Sequence, residues 1–105
     1  MAVLRRAYVY VDEVYAGVLD ETDDGYTFEY DPEYKGKAVS LTLPVSEQVC
    51  RSRNLFPFFD GLIPEGWLLD VVVNNWKIDR RDRFGILLVA CHDCIGNVSV
   101  REERS

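Results

Sequence analysis

The 105-residue sequence predicts an α+β fold, a small antiparallel β-sheet packed with about three helices. Three observations lead there. Residues 3–30 carry β-rich runs separated by turn residues, apolar spacing becomes helical from residue 54, and a short β-rich stretch returns at 97–102. Strands followed by helices followed by one strand is the order of an α+β domain. The length fits a single domain over 1–105.

The first strand is "VLRRAYVYV", residues 3–11, with Val3, Ala7, Val9 and Val11 at alternating positions. Asp12 and Glu13 turn the chain, "VYAGVL" returns it as a hairpin, and "ETDDG" at 21–25 makes the next turn before "YTFEY". "DPEYKGK" reads as a connection. "AVSLTLP" at 38–44 reads as a short strand that Pro44 ends.

Asn54 is the expected cap of a short helix through Phe58 and Phe59, which Gly61 to Pro64 breaks. "PEGWLLDVVVNNWKI" then places Pro64 and Glu65 at a helix start. Leu68, Val71, Val72 and Trp76 form its apolar stripe, with Trp67 beside the stripe. A third helix, "DRFGILLVACHD", aligns Phe84, Leu87, Leu88 and Cys91, and Gly96 leads into the last strand "NVSVRE".

Composition narrows the function classes. Hydrophobic residues at 48% and charged residues at 29% describe a globular chain. By size scaling, about 65% of the unfolded surface is buried, enough for one core. A net charge of -6 argues against nucleic acid as a direct partner. The one basic cluster, "KIDRRDR" at 77–83, is interrupted by Asp79 and Asp82. No apolar run is long enough to span a bilayer, and Arg5, Arg6 and Asp12 stand where a signal peptide needs its apolar centre. A cytoplasmic location with reduced thiols is the expectation.

Catalytic patterns are missing. The single histidine, His92, has no recognisable serine and aspartate partners, and no Gly-rich phosphate loop is present. "CHDC" at 91–94 has the spacing of a redox pair or half a zinc knuckle, but a zinc site needs four ligands and only Cys50 and His92 remain. The simpler assignment puts Cys91 on an apolar helix face and Cys94 in a loop. Asp20, Glu21, Asp23 and Asp24 read as a solvated acidic turn without EF-hand spacing, and Glu29, Asp31 and Glu33 as the solvent side of a strand edge.

Residues 54–70, "NLFPFFDGLIPEGWLLD", concentrate three phenylalanines, a tryptophan, two prolines and two glycines. At least two of Phe56, Phe58 and Phe59 belong in the core, while Gly61 and Pro64 shape a bend. Trp67, on the first turn after that bend, sits where a large aromatic serves as an interface anchor.

Together, "VSLTLP" (39–44), "FPFFDGLIPEGW" (56–67) and "DRFGILLVACHDCIGNVSV" (82–100) resemble the N-terminal subdomain of HipA-type serine/threonine kinases, the toxins of bacterial toxin–antitoxin operons. In that family a strand ending in "LSLP" precedes an "FFDGLLPEG" bend, and an "FDLL...G.D..GAV" segment follows. The resemblance covers nearly the whole chain to Val100. Cys91, Cys94 and Asn97 depart from the polar, small and alanine residues usual there, so the CxxC has no family counterpart.

The sequence stops at "REERS", where a HipA kinase would continue into its catalytic domain. That arrangement resembles the HipS-type antitoxins of three-gene HipBST systems. The resemblance implies a non-enzymatic antitoxin without cofactor or metal, which binds and neutralises a short HipT-like kinase toxin, while a HipB-like protein in the same complex binds DNA. Kinases of this type phosphorylate aminoacyl-tRNA synthetases. The positions carried over are Asp60, Gly61, Leu62, Pro64, Glu65, Gly66 and Trp67, with this corner expected to dock at or near the kinase active site. Two alternatives stand beside it: a non-inhibitory structural or regulatory subunit of the kinase, and a small thiol or zinc protein using Cys91 and Cys94.

Overall fold

In the computed structural model, residues 2–40, 43–46, 48–63, 65–90 and 97–102 are described. Their elements run β1 (Val3–Val11), β2 (Val14–Thr22), β3 (Gly25–Tyr30), β4 (Val49–Ser52), α1 (Pro57–Asp60), α2 (Gly66–Trp76), α3 (Arg83–Ala90) and β5 (Val98–Arg101). The strands form one five-stranded antiparallel sheet in the order β4-β3-β2-β1-β5. The expected α+β architecture is the one observed.

Side-chain alternation builds the sheet's inner face. Ala7, Leu19, Phe28 and Cys50 are successive cross-strand partners, and Val9 and Val11 pair with Val100 and Val98 on the other side. All of these except Cys50 are buried. The β1–β2 hairpin turns through Asp12 and Glu13, both at positive φ, the twist that two-residue hairpins favour. Gly17 lies where β2 and β3 approach closely: a Cβ there would stand 2.3 Å from the Glu29 carbonyl oxygen.

Helices cover this face with aromatic packing. Phe59 of α1 meets Phe28 at 5.6 Å between ring centroids, and Phe56 and Phe58 flank it at 6.3 and 5.3 Å. Phe56 and Phe59 are buried, as expected of two of the three rings, and Phe58 is half-buried. From α3, Phe84, Ile86 and Leu87 complete the core.

Four sequence expectations need correction. Residues 38–44 supply no strand among the residues described; Ser40 and Leu43 form only an isolated bridge. The fourth strand is β4, whose "VCRS" lacks an alternating pattern. Val39 and Leu43 are held instead by Tyr30, whose hydroxyl donates to the Leu43 carbonyl and accepts the Val39 N–H at 2.9 Å. Asn54 does not cap α1: Phe56 occupies that place without a side-chain cap, and Pro57 opens the helix, a position that does not need its N–H.

The third correction concerns α2. Its packed residues are Leu69, Val72 and Val73, whereas Leu68, Val71 and Trp76 of the expected stripe are exposed. The helix carries apolar residues nearly all round, so no single face is marked by its sequence. The fourth concerns the acidic turn. Asp20 and Glu21 belong to β2, and Asp20 is buried beneath Arg6, whose Nε donates to it at 2.7 Å.

Glu21 contributes to the largest ionic cluster among the described residues. Arg5 donates from Nε and Nη2 to both oxygens of Glu21, at 2.7 and 2.9 Å. It also donates from Nη1 and Nη2 to both oxygens of Asp82, at 2.9 and 2.7 Å. Asp82 caps α3, accepting the Gly85 N–H at 3.1 Å. The guanidinium lies 5.1 Å from the Phe84 ring centroid, and Phe84 in turn stacks on Tyr26. One side chain therefore ties β1, β2 and the start of α3 together.

Two outcomes follow for stability. Tyr30→Phe leaves the Val39 N–H and Leu43 carbonyl without their buried partner and is expected to cost about 1–3 kcal/mol in denaturant unfolding. For Asp82, the Arg5 hydrogen bonds hold the carboxyl below its ordinary pKa. A depressed carboxyl contributes stability that is present above its unfolded pKa, about 3.9, and is lost as pH falls through the lower folded value. Asp82→Ala should lose about 1–2 kcal/mol near neutrality through the cap and flatten the acid limb of a stability–pH curve.

Candidate functional site

The "DGLIPEGW" segment forms a corner between α1 and α2. Hydrogen bonds from Gly61 N–H to the Pro57 carbonyl, 2.9 Å, and from Leu62 N–H to the Phe59 carbonyl, 3.1 Å, close α1. Ile63 N–H then donates to the Asp60 carbonyl at 3.2 Å, and the Ile63 side chain is buried in the core. Glu65 is extended at the N-cap of α2. Gly66, the first residue of α2, has φ +63, a left-handed conformation that costs glycine nothing. A Cβ there would meet no atom within 4 Å, so the glycine is required by backbone angle and not by crowding.

This left-handed step directs Trp67 outward. It is 76% exposed, and Leu68 and Val71 are 47% and 41% exposed. At about 100° per residue, positions 67, 68 and 71 fall within one solvent-facing sector of α2, with Leu69 and Val73 across the helix and Val72 bordering Leu68. The result is a short apolar ridge led by an indole. Trp76, nine residues on, points about 180° away from Trp67 and does not extend that ridge.

The structure treats the sequence-derived site residues differently. Glu65, Gly66 and Trp67 are exposed together, and Gly61 is exposed at the end of α1. Leu62 is half-buried against the core. Asp60 is engaged within the chain, accepting from Arg83 Nε at 2.8 Å. Pro64 lies outside the described residues, as do Cys91, His92 and Cys94. Leu68 and Val71 were missing from the expected site. The four-residue and three-residue spacings of Val71 from Trp67 and Leu68 were the available signal, hidden because Leu68 and Val71 also fit a buried stripe.

Chemically, the corner offers aromatic and aliphatic surface beside one exposed carboxylate, Glu65. Such a surface recognises by burial and shape. No helix among the described residues is long and apolar enough to cross a membrane.

Known proteins share this sequence pattern and fold. An uncharacterised protein of Haemophilus influenzae strain Rd is 34% identical over 102 residues, covering 97% of this chain and 96% of that protein. A solved structure described as the N-terminal domain of HipA toxin superposes with a TM-score of 0.79 at 31% identity, covering 100% of this chain and 98% of that one. The profile of the HipA N-terminal domain family matches residues 7–101, from the inward-facing Ala7 of β1 to the end of β5, and the chain belongs to that family.

Proposed function

We propose that this domain is a non-enzymatic antitoxin that binds and neutralises a short HipT-like serine/threonine kinase, with a HipB-like DNA-binding protein in the same complex. The observation that carries the reading is Trp67, a large aromatic that is 76% exposed on the first turn of α2. Largely exposed apolar anchors grouped in this way are disfavoured in an isolated domain and dominate binding when a partner buries them. In this reading, the 60–67 corner docks at or near the kinase active site, in the cytoplasm, with Trp67 as anchor and Leu68 and Val71 widening the contact. Family membership supports the partner class, since a solved structure similar to this chain is described as the N-terminal domain of HipA toxin.

That same likeness favours a second reading, in which the domain is a structural lobe that positions the kinase without inhibiting it. Growth of a bacterial host expressing the short kinase, with and without this chain, separates the two when combined with a pull-down. Growth rescue with co-purification supports the antitoxin; co-purification without rescue supports the lobe; absence of both rejects the kinase as partner.

Trp67→Ala is expected to weaken kinase binding at least about thirtyfold, the equivalent of about 2 kcal/mol. Its unfolding free energy should change by less than about 0.5 kcal/mol, because the ring makes no core contact. Parental affinity in a folded Trp67→Ala variant would sink the anchor assignment.

A further inference from the structure

We infer that Asp60 is a positioning residue: through Arg83 it sets the direction in which the corner presents Trp67, and it does not itself touch the partner. The inference rests on the docking role proposed for Trp67 and deepens it.

Among described residues 60–67, Ile63 is buried and its neighbour Leu62 is half-buried against the core. Two adjacent side chains fix the bend near one point and do not by themselves orient its far end. The Arg83–Asp60 ion pair supplies a second fixed point, from the opposite element: Asp60 ends α1 and Arg83 begins α3. Arg83 is itself well placed for this. Its neighbour Asp82 is gripped by two nitrogens of Arg5, which also grips Glu21, so the first turn of α3 is referenced to the sheet. A continuous strut thus runs from β2 through Arg5 and the α3 start to the corner.

Both members of the terminal pair are partly exposed, at 44% for the Asp60 side chain and 37% for that of Arg83. Exposed pairs add little to stability, so removing this one leaves the fold intact. What it contributes is orientation. A carboxylate already committed to a guanidinium at 2.8 Å is also a poor free contact for a partner.

The test uses the full chain with Trp76→Phe, which leaves Trp67 as its one tryptophan. Time-resolved indole anisotropy of the isolated protein is compared among the parent, Asp60→Asn, Arg83→Gln, and the charge-reversed double variant Asp60→Arg with Arg83→Asp. Thermal unfolding midpoints and kinase affinities are measured on the same samples. Each single variant is expected to widen the nanosecond motion of Trp67 and to weaken kinase binding about three- to fivefold, with little change in unfolding midpoint. The double variant is expected to recover both.

Unchanged anisotropy in Asp60→Asn overturns the inference, as does unchanged affinity in a variant whose Trp67 has become mobile. A double variant with restored anisotropy but unrestored affinity also overturns it, by making Asp60 a direct contact. If Trp67→Ala binds the kinase like the parent, the docking reading fails instead, and the anisotropy series still decides whether the strut orients the indole.

Discussion

Arg5 is the side chain on which the arrangement of sheet and helices turns. Antiparallel strands with a buried inner face do not by themselves determine where a covering helix begins. Glu21 and Asp82 share one guanidinium, and because Asp82 is also the α3 cap, the helix start is indexed to the β1–β2 pair. The desolvation that burial imposes on the cation is offset by the hydrogen bonds to both carboxylates, and the aromatic face of Phe84 lies beside it. Packing then follows from that placement. Phe84, Ile86 and Leu87 drop into the core, and α1 closes beside them through Phe59.

The consequence for α2 is that it lies at the margin. It neighbours α3, and Leu69, Val72 and Val73 pack against the core, none of them fully buried. A helix whose core contact is this limited keeps much of its apolar surface facing water, which is unfavourable unless another molecule covers it. Trp67, Leu68 and Val71 are where that unfavourable surface collects, and the left-handed Gly66 is what brings the indole to its front. Buried aromatic packing and exposed apolar surface are therefore divided between the Phe cluster and the ridge.

Much of this was legible before any coordinates. The hairpins were readable because alternation and turn chemistry agree along residues 3–30. α3 was readable as a helix from its apolar run, but the register through Phe84, Leu87 and Leu88 left out Ile86, which is buried, because apolar residues surround that helix. Residues 38–44 misled because β-rich composition reports side-chain preference, whereas the backbone there is claimed by the Tyr30 hydroxyl, thirteen residues from Leu43. β4 was silent because four residues with Arg51 at their centre show no period. At the site, the ordered "FDGLIPEG" core marked the corner, but a helix that is apolar on several sides could not say which residues look outward. The partnership of Asp60 with Arg83, twenty-three positions apart, had no local signature at all.

The Arg5–Asp82 contact joins residues 77 positions apart, and β5 reaches β1 from still farther along the chain. During synthesis, residues 60–67 leave the ribosome well before the cap of α3 exists, while the strand that will receive it is already made. The apolar ridge is thus among the last features to acquire its surroundings, although its residues are central in the sequence. A chain ending before residue 82 would carry the tryptophan but lack the Arg5–Asp82 contact that places α3 on the sheet.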